Sequence, residues 1–288
     1  MPTRRQRILM LAPLAALLVP FLFWPAGFGL LSSFTSYAPA QRQVRFTGLH
    51  NYAAALENPD LRLAFRHLGV FLVTAVPAEL ALGFVLAYML REPFRGRGLV
   101  RVCLLVPWLL SPIATGVMWH FLFGRAGVLD WNLAWLRLPP APSPLSLPGA
   151  ALGAIIATEI WRKAPLAGFL LLPGLAAVPS EHWEQAVLDG IPLAAQLRHV
   201  VLPWLRPLLL TIALLLIGDT LGTFDSILMM TGGGPGSETL TPALYSFQQA
   251  FKAYNWPFAV AASWLIVAAM LLVGLGYITL AGREEDLR

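Results

Sequence analysis

Three ionisable residues interrupt one apolar run of this chain: Glu159, Arg162 and Lys163, within GAIIATEIWRKAPLAGFLLLPGL. Spacings of three and four put the carboxylate and both cations on one helix face, where an internal ion pair can form. A charge at bilayer depth costs roughly 2.5–3.5 kcal/mol on insertion scales, so it faces a partner or a polar cavity. Two readings follow. The pair simply makes its helix less costly to insert, or it lines a solute path in which carboxylate and guanidinium groups hydrogen-bond hydroxyls. Asp219, Thr223 and Asp225 lie in or just after a later apolar run and are further candidates for the same path.

Other chemistries lack their residues. The glycines of GGGPGSET are followed by no lysine, so the phosphate cradle G-x-x-x-x-G-K-[ST] is missing and the chain has no such route to ATP hydrolysis. H-E-x-x-H, G-x-S-x-G and C-x-x-C do not occur, so neither a metal site nor a catalytic nucleophile is expected. His50, His67, His120, His182 and His199 are scattered without ligand spacing, and Cys103, the one cysteine, lies in an apolar run. Asp219 and Asp225 are six residues apart on one expected helix, which does not bring two carboxylates together to share a proton, as an aspartyl protease needs. A membrane-embedded enzyme acting on a lipid or polyprenyl-linked sugar remains as an alternative, but it would need convergent acid and base groups at one membrane face. A passive channel or scaffold is a third.

The elements that must position these residues are membrane spans. Of 288 residues, 57% are hydrophobic and 12% charged, about half the charged fraction of soluble domains, and mean hydropathy is +0.67. That length suffices for about six spans of roughly 20 residues. The expected spans are 8–31, 67–90, 102–123, one starting near Gly149, 205–230 and 257–281. Arg4, Arg5 and Arg7 precede the first, which is too long for the core of a cleaved signal peptide and reads as an anchored span. The organisation expected is an N-terminal span with an external interfacial segment (1–66), a five-span core (67–281) and a short tail (282–288).

Net charge is +5, and its placement argues for orientation rather than nucleic-acid binding. With both termini inside, eleven of the 20 basic residues fall on the inner side and seven on the outer, with Arg162 and Lys163 left in the membrane. Arg91, Arg95, Arg97 and Arg101 crowd one short inner turn, in keeping with the positive-inside rule. The same orientation places the long polar interruption 178–207, VPSEHWEQAVLDGIPLAAQLRHVVLPWLRP, on the inner face. It reads as a short helix, an Asp189-Gly190 break, a second short helix presenting Leu193 and Leu197, and a Leu202-Pro203 entry into the next span.

This interruption resembles the cytoplasmic "EAA" loop of permease subunits in bacterial ABC importers, through Glu184, Ala186, Asp189, Gly190, Leu202 and Pro203. Gln185 stands at the second position of the triplet, and Ile191-Pro192 replaces the usual small residues after the glycine. Flanking segments are similar to the carbohydrate-uptake branch, which includes maltose and glycerol-3-phosphate systems. These are Phe46, Gly48, Leu49, Asn51 and Tyr52; Pro107, Trp108, Ser111, Pro112 and Trp119; and the TGGGP loop with Tyr245, Ala250 and Phe251. The resemblance implies an all-α membrane protein of six transmembrane helices with the importer-permease fold and a cytoplasmic coupling helix. It implies a multi-pass, non-catalytic subunit in a bacterial or archaeal cytoplasmic membrane, moving a sugar or sugar derivative by alternating access. It further implies a second homologous permease subunit, an ATPase dimer that holds ATP and magnesium, and an extracytoplasmic substrate-binding protein. In such a protein Trp24, Trp108, Trp119 and Trp161 could stack on sugar rings, although membrane tryptophans more commonly anchor the interface.

Overall fold

Long apolar runs can satisfy their backbone groups in lipid only as helices or closed barrels, and this chain takes the helical route. The computed structural model describes residues 10, 12–14, 16–36, 44–125, 127–139, 142–179, 188 and 190–285. In chain order the helices are α1 (Ala12–Ser33), α2 (His50–Glu57), α3 (Pro59–Met89), α4 (Arg97–Leu109), α5 (Pro112–Phe123), α6 (Val128–Trp135) and α7 (Ala150–Ala176). They continue with α8 (Leu193–Gly222), α9 (Asp225–Met230), α10 (Pro242–Phe251) and α11 (Trp256–Glu285). Apart from an isolated bridge between Thr35 and Phe46, the regular structure among the described residues is helical.

Four helices (α1, α3, α8 and α11) are long and apolar enough to cross a membrane, and the bent run α4–α6 makes a fifth if counted as one span. The 27 residues of α7 also reach across a bilayer at 1.5 Å per residue, with three ionisable residues clustered near the middle of the helix. Counting α7, the arrangement is consistent with six spans.

The helices group into two compact units: Met1–Arg62 with Tyr245–Ala268, and Leu63–Leu244 with Ala269–Arg288. In the first, α2 ties down the end of α1. Helix α1 leaves carbonyls without intrahelical partners at its C-terminus, and the Asn51 side chain donates to two carbonyls there, Ser33 at 2.7 Å and Thr35 at 2.9 Å. The Tyr52 hydroxyl lies 2.8 Å from Ser33 Oγ. Asn51 and Tyr52 are thus structural clamps on the first span. Asn51→Ala should destabilise this unit by about 1 kcal/mol, the usual net worth of a lost hydrogen bond. Faster proteolysis between α1 and α2 would register the loss.

In the second unit, Val76 and Ala87 of α3, Ala167, Leu171 and Leu175 of α7, and Val201, Leu205, Ile212 and Leu216 of α8 form one apolar cluster. The 167/171/175 and 201/205 intervals are helix-face spacings, so each helix contributes a single stripe. Helices α3 and α7 cross at Gly83, where a Cβ would lie 2.6 Å from the Ala167 Cβ and 2.8 Å from the Gly168 nitrogen. Only hydrogen fits there.

Three spans differ from expectation, each for a local reason. The second begins at Pro59, not near His67, because Asn58 Oδ1 accepts the Leu61 N–H at 3.0 Å and Pro59 and Asp60 occupy the first turn. Those are strong helix-start signals that outweigh the polar composition. The third is broken: the chain bends by 95° between Leu109 and Pro112, where Ser111 Oγ caps the new helix by accepting the Ala114 N–H at 3.2 Å. The fifth starts twelve residues before the expected Leu205, at Leu193, and ends at Gly222, with Thr223 and Phe224 separating it from α9.

That early start means Leu202-Pro203 is not a helix entry. Pro203 has no N–H to donate, and a π-turn over Leu197–Val201, closed by the Leu202 N–H on the Leu197 carbonyl, carries the helix past it. Such turns are a common way to absorb a proline.

Candidate functional site

The ionisable residues of α7 meet α8 and α9 in the second unit. Glu159, Arg162 and Lys163 are all buried. Arg162 donates to Glu159 Oε2 from Nη2 at 2.8 Å and from Nε at 3.2 Å. Lys163 Nζ reaches Glu159 Oε2 at 3.3 Å and Asp219 Oδ2 on α8 at 2.7 Å. Arg162 also lies 3.5 Å from Asp219 Oδ2. The remaining Glu159 oxygen accepts the Ser226 hydroxyl of α9 at 2.6 Å. Lys163 completes its donors on Thr220 Oγ1 at 3.2 Å and Thr223 Oγ1 at 3.4 Å. Buried charges persist only when paired and hydrogen-bonded, and every polar atom in this list has a partner.

Four expected pathway residues, Glu159, Arg162, Asp219 and Thr223, therefore form one network. Asp225 joins them by position: a cavity of about 280 Å³ is lined by Arg162, Asp219, Thr223 and Asp225 together with Pro112 and Phe224. The helix break at Thr223 and Phe224 lies on the wall of this cavity. A smaller cavity shares Arg162 and Asp219 and adds Lys163 and Trp108. Trp108 is the one of the four tryptophans considered that faces either cavity. Trp119 and Trp161 pack edge to face at 5.4 Å, and Trp24 is exposed on α1.

Sequence reasoning missed Glu79. This carboxylate is fully buried in α3, neither oxygen has a hydrogen-bond partner among the described residues, and it lies within electrostatic reach of Lys163, Glu159, Asp219 and Arg162. Its signal was present: a lone glutamate in the middle of VPAELALGF, two residues after Pro77. Thr220 and Ser226 carried no comparable signal, because threonine and serine are unremarkable in membrane helices until a charge is found opposite them.

The glycine-rich loop after α9 is held by its own hydrogen bonds. Thr231 and Thr239 share a hydrogen bond at 2.7 Å, and Thr239 also donates to the Gly234 carbonyl at 2.8 Å. Glu238 accepts the Gly149 N–H at 2.7 Å, placing a carboxylate at the positive end of α7.

Of the expected coupling residues, Glu184, Ala186 and Asp189 lie outside the described residues. Gly190 is left-handed at φ +66°, a conformation that favours glycine. Pro192 then precedes α8 in extended conformation, and Gln196 Nε2 donates to the Ile191 carbonyl at 2.6 Å. Leu202 and Pro203 sit exposed on the continuous helix. The turn at Gly190 and the cavity at Asp219–Gly222 are thus the two ends of one helix, which at 1.5 Å per residue is about 45 Å long.

Spans packed around a charge-paired polar cavity have the build of a membrane transport component. The chain belongs to the family described as the binding-protein-dependent transport system inner membrane component, which matches residues 79–283. It is 31% identical to a probable ABC transporter permease protein, y4oQ of Sinorhizobium fredii, over 91% of this chain and 85% of that protein. It is 30% identical to the trehalose/maltose transport system permease protein MalF of Thermococcus litoralis, over 83% of this chain and 81% of that protein. The fold matches a chain of a bacterial alginate ABC transporter, crystallised with an alginate pentasaccharide-bound periplasmic protein, with a TM-score of 0.80 and 19% identity over 95% of this chain and 93% of that one. The chain is accordingly a non-catalytic, membrane-embedded permease component of an ABC importer that works with a binding protein.

Proposed function

We propose that this chain carries a sugar or sugar derivative across the cytoplasmic membrane by alternating access, with both termini inside. The sugar class is supported by the trehalose/maltose relative and by a cavity whose carboxylates, guanidinium and hydroxyl suit a polyhydroxylated solute. Its partners are a second homologous permease subunit, a pair of ATPase subunits holding ATP and magnesium, and an extracytoplasmic binding protein that delivers the solute. Glu184, Ala186, Asp189 and Gly190 seat on an ATPase subunit, and Leu202 and Pro203 continue that surface along α8.

One observation carries the mechanism: α8 runs as one helix from Leu193, just after the Gly190 turn, to the cavity-lining Asp219 and Gly222. Closure of the ATPase pair would displace the turn. A continuous helix transmits that displacement as a lever, and the cavity at its far end changes its exposure. Alternating access in transporters is largely rigid-body rocking of this kind.

Co-purification tests the assembly. A tagged chain expressed with its genomic neighbours should retain an ATPase and a second permease subunit through purification, and the complex should hydrolyse ATP. A chain that purifies alone in a folded, detergent-stable form under these conditions would contradict the proposal.

A further inference from the structure

The charge on the cavity wall is not evenly presented. Lys163 and Arg162 have only 2% and 8% of their side chains exposed, against 56% for Asp219, which partners both. The cations are thus tucked behind the carboxylate they neutralise. Asp225 adds a second carboxylate to the larger cavity, where Arg162 is the only cation among the lining residues. Behind the wall, Glu159 and Glu79 bring further acid to the same two cations. Among the described residues lining the two cavities, no positive charge is left over for a ligand.

We infer that the pathway through this chain selects an uncharged, hydroxyl-rich solute, such as a neutral di- or oligosaccharide, and rejects sugar phosphates and uronates. This rests on reading the cavity as the substrate pathway. A neutral sugar donates its hydroxyls to Asp219 and Asp225, and carboxylates are strong acceptors of such bonds. Its C–H faces can lie against Phe224 and Trp108, which line the larger and the smaller of the two cavities that share Arg162 and Asp219. A phosphate or uronate would instead meet carboxylates first, and would have to pull Arg162 or Lys163 out of buried pairs. Breaking a buried pair leaves an uncompensated charge, so the anion gains no net partner.

The test uses the complete importer, with its own binding protein, in proteoliposomes. Labelled trehalose, maltose and longer neutral oligosaccharides are offered beside trehalose 6-phosphate, uronic-acid disaccharides and amino acids. Uptake confined to neutral sugars is expected. In Asp219→Asn, the ratio of anionic to neutral uptake should rise about tenfold or more, since a cation then faces the cavity unopposed. Asp225→Asn should shift the same ratio in the same direction, and it serves if Asp219→Asn fails to assemble, because Asp225 makes no ion pair among the described residues. Wild-type uptake of a phosphate or uronate as fast as any neutral sugar, or a ratio unmoved in an assembled variant that has lost neutral uptake, overturns the charge selection and leaves the pathway standing. Uptake of amino acids alone, uptake of nothing offered, or assembled variants with wild-type uptake of every probe overturns the pathway reading itself.

Discussion

Gly190→Pro should leave the chain inserted and assembled but abolish substrate-driven uptake. Gly190 sits at φ +66°, and proline fixes φ near −65°, so the turn cannot keep its shape. The strain of forcing a residue into the left-handed region is of order 1–3 kcal/mol. That is enough to refold an exposed turn, and too little to unfold the spans, since among the described residues nothing lies within 4 Å of a Cβ built at Gly190. The damage therefore stays at the Gly190 end of α8. Basal ATPase activity should persist or rise, while stimulation by the loaded binding protein should disappear. Glu184→Lys should act in the same direction through charge rather than backbone. Wild-type uptake by an assembled Gly190→Pro transporter would remove this turn from the mechanism.

Lys163→Met should be the most destabilising single substitution in the charge network. It deletes the ammonium that holds Asp219 at 2.7 Å and Glu159 at 3.3 Å, leaving Arg162 to serve both carboxylates. Removing one partner of a buried ionic network typically costs about 3–5 kcal/mol. Adding Asp219→Asn should recover part of that loss, because one of the abandoned carboxylates is then neutral. Thermal unfolding of the purified complex in detergent reads both effects. Equal stability of wild type and Lys163→Met would mean that the ammonium does not hold α7 to α8.

The helical class, the apolar spans and the ion-pair face of α7 were legible because each is a local pattern. Composition demanded a membrane protein, and the interval from Glu159 to Arg162 and Lys163 demanded a shared face. What sequence could not supply was the partner across space. Asp219 is 56 and 60 residues from Lys163 and Glu159 respectively, and nothing in its own run distinguishes it from Asp225, which forms no ion pair with them. Helix continuity was the other blind spot. Leu202-Pro203 reads as a boundary because proline lacks a donor, yet a π-turn over the preceding five residues accommodates it and joins the turn at Gly190 to the cavity. Glu79 was overlooked although a mid-span carboxylate is a recognised functional signal.

Where the Gly190 turn meets its partner can be measured by cross-linking. Leu188→Cys, at an exposed position beside the turn, is placed in a Cys103→Ser background, so that the new thiol is the sole cysteine of the chain. A short bifunctional maleimide on intact membranes should join it to the ATPase subunit, and the yield should change on adding ATP. Labelling of that thiol by a membrane-impermeant reagent from outside the cell, with no ATPase cross-link, would contradict the account.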